Sequence, residues 1–139
     1  MFRRVVLPTD GSKNAEKGVL RGLDMAKAFN IEVLAVYVID RREFAAVSHR
    51  SMKASLREAL HKHGKEALDY IKRLAKERGV KVDAKIIEGV PHEAIIREAT
   101  KEDIIVMAPK GKSNISRILL GSVTDRVVHH AKCTVAVVR

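Results

Sequence analysis

A chain of 139 residues with 46% hydrophobic content is long enough to bury a core and most simply folds as one domain over residues 1–139. No apolar run approaches the length of a bilayer span, the short run after Arg3 and Arg4 stops at Pro8, and the single cysteine, Cys133, can form no internal disulfide; a membrane-spanning helix, a signal-peptide core and a disulfide scaffold are excluded, and a soluble cytoplasmic protein is expected. Lys and Arg outnumber Asp and Glu by 27 to 17, a formal charge of +10, which favours anionic partners, although interleaved signs such as Lys76-Glu77-Arg78 also describe ordinary solvated helix faces.

In chain order, Arg4 to Leu7 predicts a short buried strand that Pro8 ends, followed by a Thr9-Asp10-Gly11 turn. Ser12 is placed to cap a helix carrying Ala15, Val19, Leu23, Ala26 and Phe29, with Asn30 closing it. Ile31 to Ile39 is the second strand, and Asp40 to Glu43 reads as a polar loop. Ser48 to Arg78 is helical in pattern, with an apolar stripe through Leu56, Leu60, Leu68, Ile71 and Ala75; Gly64 marks a kink or break and Gly79 a stop. Val80 to Glu88 alternates as an edge strand with one wetter side. Gly89-Val90-Pro91 turns into a helix holding Ala94, Ile95 and Ile96. Asp103 to Met107 is a fourth strand, apolar enough to be buried on both faces. A last helix runs from about Gly121 to His130, and Thr134 to Val138 is the fifth strand. Strands alternating with helices imply an α/β fold, a parallel sheet with helices on both faces.

The stretch from Asp103 to Val123 carries the chemistry. Gly111 lies in the loop after the fourth strand, and Gly121-Ser122 stand at a helix start. Glycine lets backbone approach a ligand closely, and a helix start offers unpaired N–H groups and a positive dipole end to a phosphate. Asp10, in a strand–helix turn, could bond a ribose hydroxyl or help place Mg2+; a plain turn former would look the same.

Gly111, nine residues, then Gly121-Ser122 resembles the nucleotide loop of the universal stress protein family, whose ATP-binding members carry Gly-x-x-Gly-x9-Gly-Ser/Thr. Pro8-Thr9-Asp10-Gly11-Ser12 resembles that family's first strand–helix turn, and the likeness runs on to Thr134–Val138. Ala108 departs from it, standing where the first loop glycine would be. The resemblance implies a five-stranded parallel sheet of order 3-2-1-4-5, an open doubly wound fold like that of the adenine nucleotide alpha hydrolases. It implies a stress-linked regulatory protein that binds ATP, with or without Mg2+, or a related adenine nucleotide. The nucleotide-binding set it implies is Pro8, Thr9, Asp10, Val38, Met107, Ala108, Gly111, Lys112, Ser113, Gly121, Ser122 and Val123, with Val38 against adenine. It also implies a homodimer through Thr134, Val135, Ala136, Val137 and Val138, an apolar strand at the sheet edge. The sequence names no protein partner.

Other chemistries find less support. Gly111-Lys112-Ser113 mimics the end of a P-loop, but Val106 stands where its first glycine belongs. No Gly-x-Gly-x-x-Gly follows the first strand. His61 and His63 point to different faces of one helix, His129 and His130 likewise, His92 reads as a loop residue, and Cys133 as a small core residue; no metal site is expected. No dedicated base for water is evident, so ATP hydrolysis is expected to be slow or partner-dependent at most. Two rivals stand beside nucleotide binding. One is an interaction protein of the same fold that binds no nucleotide, which Ala108 favours. The other is a nucleic-acid binder, suggested only by the charge, since the five aromatics do not interleave with a basic cluster.

Overall fold

The computed structural model describes residues 1–111 and 119–139. Five parallel strands form one sheet in the order β3-β2-β1-β4-β5: β1 (Arg4–Thr9), β2 (Glu32–Asp40), β3 (Val82–Gly89), β4 (Asp103–Met107) and β5 (Thr134–Val137). The helices are α1 (Glu16–Phe29), α2 (Arg42–Ala45), α3 (Arg50–Arg78), α4 (Pro91–Glu98) and α5 (Ser122–His130). Strand order and fold class are as the sequence led us to expect.

Period-two alternation divides the core between the two faces of the sheet. Val5 and Leu7 point to the side where Val19 and Leu23 of α1 and Leu68, Ile71 and Ala75 of α3 pack. Val6, Leu34 and Val36 point to the other, against Ile95 of α4 and Val127 of α5. β4 is buried along its whole length, as a central parallel strand must be.

Helix ends follow local chemistry. Ser12 accepts a hydrogen bond from the Ala15 N–H at 3.3 Å and caps a single 3-10 turn, Lys13–Ala15, that leads into α1. Asn30 closes α1 in the left-handed conformation at φ 55°, and Gly79 closes α3 at φ 68°.

Four local expectations are corrected. β1 runs through Pro8 to Thr9, pairing Pro8 with Val36. The ladder on the β4 side has already ended at Val6↔Ile105, so a residue without an N–H breaks no rung there. The 40–43 segment is not all loop, because Arg42–Ala45 forms α2 with Phe44 buried beneath it. Gly64 neither kinks nor breaks α3, which is continuous over 29 residues. It is instead the place where the helix meets the Tyr37 ring, since a Cβ there would lie 2.6 Å from Tyr37 Cδ1. His92 is the second residue of α4 rather than a loop residue.

At the amino ends of the strands, Arg4 and Asp103 form an ion pair at 2.8 Å, with the Asp103 side chain only 2% exposed. Asp103 also accepts the Thr100 N–H at 2.8 Å, and Arg4 reaches the Glu98 carbonyl. Burial alone would raise the Asp103 pKa. The bonds from Arg4 and Thr100 outweigh it and hold the carboxyl below its ordinary 3.8. Among the described residues, no helix is long and apolar enough to cross a membrane.

Candidate functional site

β1 and β4 are neighbours at the point where the winding of the sheet reverses, with α1 and α3 on one face and α4 and α5 on the other. Loops leaving the carboxyl ends of two such strands turn to opposite faces and leave a crevice between them. A cleft of about 280 Å³ opens there.

From the β1 side the chain enters the cleft at Pro8, Thr9 and Asp10. The turn that follows is braced internally. The Gly11 N–H donates to Thr9 Oγ1 at 3.1 Å and the Ser12 N–H donates to Asp10 Oδ1 at 2.9 Å. Gly11 takes φ +76°, where a side chain would be strained. From the β4 side come Met107, Ala108 and Gly111. Gly111 faces Asp10 so closely that a Cβ on it would collide with the Asp10 carboxylate. Asn14 Nδ2 ties the two loops together by donating to the Gly111 carbonyl at 2.6 Å.

The third wall is the start of α5. Gly121 is its N-cap in extended conformation, φ −62° and ψ 157°, and brings no capping side chain. Its own N–H donates to the Pro109 carbonyl at 2.7 Å, which folds the loop back so that Gly121, Ser122 and Val123 face the cleft. One residue further on, the buried Thr124 hydroxyl donates to the Ala108 carbonyl at 2.9 Å, fixing that helix start to the end of β4. An uncapped helix start of this kind suits an anion.

The remaining wall is apolar: Val36, Val38 and Ile39 of β2, Leu60 of α3, and Ile95 with Pro91 of α4, with Glu43 of α2 at its mouth. Tyr37, 2% exposed, closes the wall on the α3 side. Burial first, then the Asp10 and Glu43 carboxylates, push its hydroxyl above the ordinary value of 10.0, so it is a protonated donor at neutral pH. The cleft therefore joins an apolar wall, a carboxylate able to accept from hydroxyl groups, and an anion-suited helix end.

Pro8, Thr9, Asp10, Val38, Met107, Ala108, Gly111, Gly121, Ser122 and Val123 all line this one cleft; Lys112 and Ser113 lie outside the described residues. Ala108 is 5% exposed, and the only non-glycine with positive φ among the described residues is Asn30, so the alanine carries no left-handed strain. Asn14, Tyr37 and Thr124 were not among the expected site residues, and His63 was weighed only as a metal ligand. Tyr37 had a signal, being the one aromatic within the apolar run Val33 to Ile39 of β2. Asn14 and Thr124 had none beyond nearness to Asp10 and Gly121. His61 and His63 do point apart, His61 to Glu88 at 3.4 Å and His63 to the Tyr37 hydroxyl at 2.7 Å. Among the described residues no group of three His, Cys, Asp or Glu could hold a metal ion.

A parallel sheet of this order, with a cleft of apolar and polar residues at its switch point, defines an open doubly wound α/β protein. Over residues 1–139 the chain matches the model of the universal stress protein family, and it belongs to that family. Universal stress protein MJ0531 of Methanocaldococcus jannaschii is 39% identical over 141 residues, covering 100% of this chain and 83% of the relative. The solved structure of MJ0577, a universal stress protein of the same organism, superposes with a TM-score of 0.83 at 37% identity, covering 99% of this chain and 96% of that one. A universal stress protein solved in complex with cAMP superposes with a TM-score of 0.69 at 26% identity, covering 99% and 97%.

Proposed function

We propose that this universal stress protein binds ATP or a related adenine nucleotide in the cleft between β1 and β4, reversibly and in a stress-linked regulatory role. The observation that carries the reading is the convergence of Asp10, Gly111 and the uncapped Gly121–Val123 helix start beside an apolar wall. In this reading the base lies along that wall against Val38, the ribose hydroxyls donate to Asp10, and the phosphates meet the α5 start. The similar protein that carries cAMP supports an adenine nucleotide as the ligand class. Mg2+ would arrive on the phosphates, which supply oxygen ligands of their own.

Calorimetric titration with ATP and Mg2+ tests this. Gly121→Val is the decisive variant, because its Cβ would stand 3.2 Å from Lys110 Cα and 3.4 Å from the Pro109 carbonyl. The helix start would be pushed off the loop while the sheet is untouched. Wild type should bind ATP and Gly121→Val should not, with both unfolding at similar temperatures; equal affinity in the two would remove the site assignment. Absence of ATP binding in wild type would leave an interaction protein of this fold.

The same role is proposed to be carried by a homodimer through β5. That strand is the sheet edge, and Val135, Ala136, Val137 and Val138 are partly buried in the single chain, so a second copy would complete their burial. Val137→Lys should shift the mass seen by light scattering towards monomer; a wild type that is monomeric at high micromolar concentration would refute the pairing.

A further inference from the structure

Beneath the cleft lies a polar contact that an apolar core would not need. Tyr37 is buried within the cluster formed by α1, α3 and the sheet, and its hydroxyl meets His63 Nδ1 of α3 at 2.7 Å. Gly64, next in the chain, has no side chain at the spot where one would strike the Tyr37 ring, so α3 lies directly over that ring. The tyrosine hydroxyl and Nδ1 thus share one hydrogen bond across the α3–β2 interface. The ring is thereby fixed at one end.

Its other end faces the β1–α1 turn. A Cβ on Gly11 would lie 2.6 Å from His63 Cε1 and 3.2 Å from Nε2, so the bare underside of this turn rests on the imidazole. The turn is internally braced by the Thr9 and Asp10 side chains and would therefore shift as a unit. Asp10 rides on it, facing Gly111 across the cleft.

We propose that His63 and Tyr37 are positioning residues for the nucleotide site: the imidazole, anchored by the Tyr37 hydroxyl, seats the Gly11 turn and so fixes where Asp10 stands. The inference rests on the nucleotide reading of the cleft. It makes a side chain on the outer layer of the molecule, since His63 is solvent-exposed, a determinant of affinity for a ligand it does not touch.

ATP titrations of wild type, Tyr37→Phe, His63→Leu and the double variant test it, with thermal unfolding of each. Each single change should weaken ATP binding by about five- to tenfold. The double variant should be within about twofold of the weaker single, because the two side chains act through one contact. His63→Asn, which returns a polar atom near the place of Nδ1, should recover to within about threefold of wild type. His63→Leu and His63→Asn alter an exposed position, so they fold even if Tyr37→Phe does not. Unchanged affinity in the singles, losses that multiply in full in the double, or an Asn variant no better than the Leu variant would each overturn the positioning role. A wild type that binds no ATP would overturn the nucleotide reading and this inference with it; a wild type that binds, with variants that match it, would overturn the positioning alone.

Discussion

β1 and β4 pair side by side, yet their two ends are built on opposite rules. At the amino ends a carboxylate that is 2% exposed meets a guanidinium at 2.8 Å and a backbone N–H besides. At the carboxyl ends Asp10 is held by a backbone N–H within its own turn, opposite a glycine that has made room for it. One end matches its charge inside the fold. The other keeps an acceptor and a helix start turned towards a cleft. The difference teaches where to look for stability and where for binding, and it can be broken from either side.

The largest effect is expected at the amino ends. Arg4→Leu leaves Asp103 buried without its cation and should lower unfolding free energy by about 2–3 kcal/mol, less than a fully enclosed pair because Arg4 is partly exposed. ATP binding should be unaffected. Acid sharpens this test. The folded Asp103 carboxyl titrates below its ordinary 3.8, so its contribution is present above that value and is lost as pH falls through the lowered one. Denaturant curves of wild type and Arg4→Leu should therefore differ at neutral pH and converge as the pH drops below about 4. A gap that stays constant into acid would show that the lost stability is packing of the arginine stem and not charge.

Gly111→Ala should do the reverse. Its Cβ would drive the Asp10 carboxylate aside, so ATP affinity should fall at least about tenfold, roughly 1.4 kcal/mol. Stability should change by less than about 1 kcal/mol, as expected for a surface loop away from the core. A melting temperature that falls as far as that of Arg4→Leu would erase the division of labour between the ends.

The smallest effect belongs to Ala108→Gly. The alanine does not adopt positive φ, and its carbonyl is already held by Thr124. Restoring glycine thus relieves no backbone strain, and ATP affinity should improve by no more than about fivefold, roughly 1 kcal/mol. A gain of thirtyfold would mean that the methyl itself obstructs the ligand.

The strands could be read from the sequence because burial on both faces leaves a compositional trace. Ile104-Ile105-Val106-Met107 and Val33 to Val38 admit little else, and Asn30 and Gly79 mark the ends of α1 and α3. Strand order is different: Arg4 pairs with Asp103 across 99 positions, a relation that periodicity cannot encode and family likeness supplied. The cleft was legible where backbone chemistry shapes it, at Asp10, Gly111 and Gly121. It was illegible where two distant side chains meet. Gly64 looked like a helix breaker because its role is defined by a tyrosine 27 residues earlier, and His63 looked idle because its partner is that same tyrosine. Asp40 to Glu43 looked like a loop because a helix as short as α2 is set by the burial of Phe44 rather than by a repeating pattern.

The central strand of this sheet is synthesised well before one of its two neighbours, since Arg4 and its β4 partner Asp103 stand 99 positions apart. Until β4 emerges, Val5-Val6-Leu7 presents an open, fully apolar edge to the crowded interior of a cell. Arg4 and Pro8 bracket that run. A charge at one end and a residue without an N–H at the other are features that discourage a foreign strand from adding to an edge. The proline that β1 carries at its carboxyl end therefore guards the nascent chain as well as leading into the cleft. Pro8→Val should refold to the same sheet but lose more material to turbidity at micromolar concentration; equal recovery would show that the edge needs no guard.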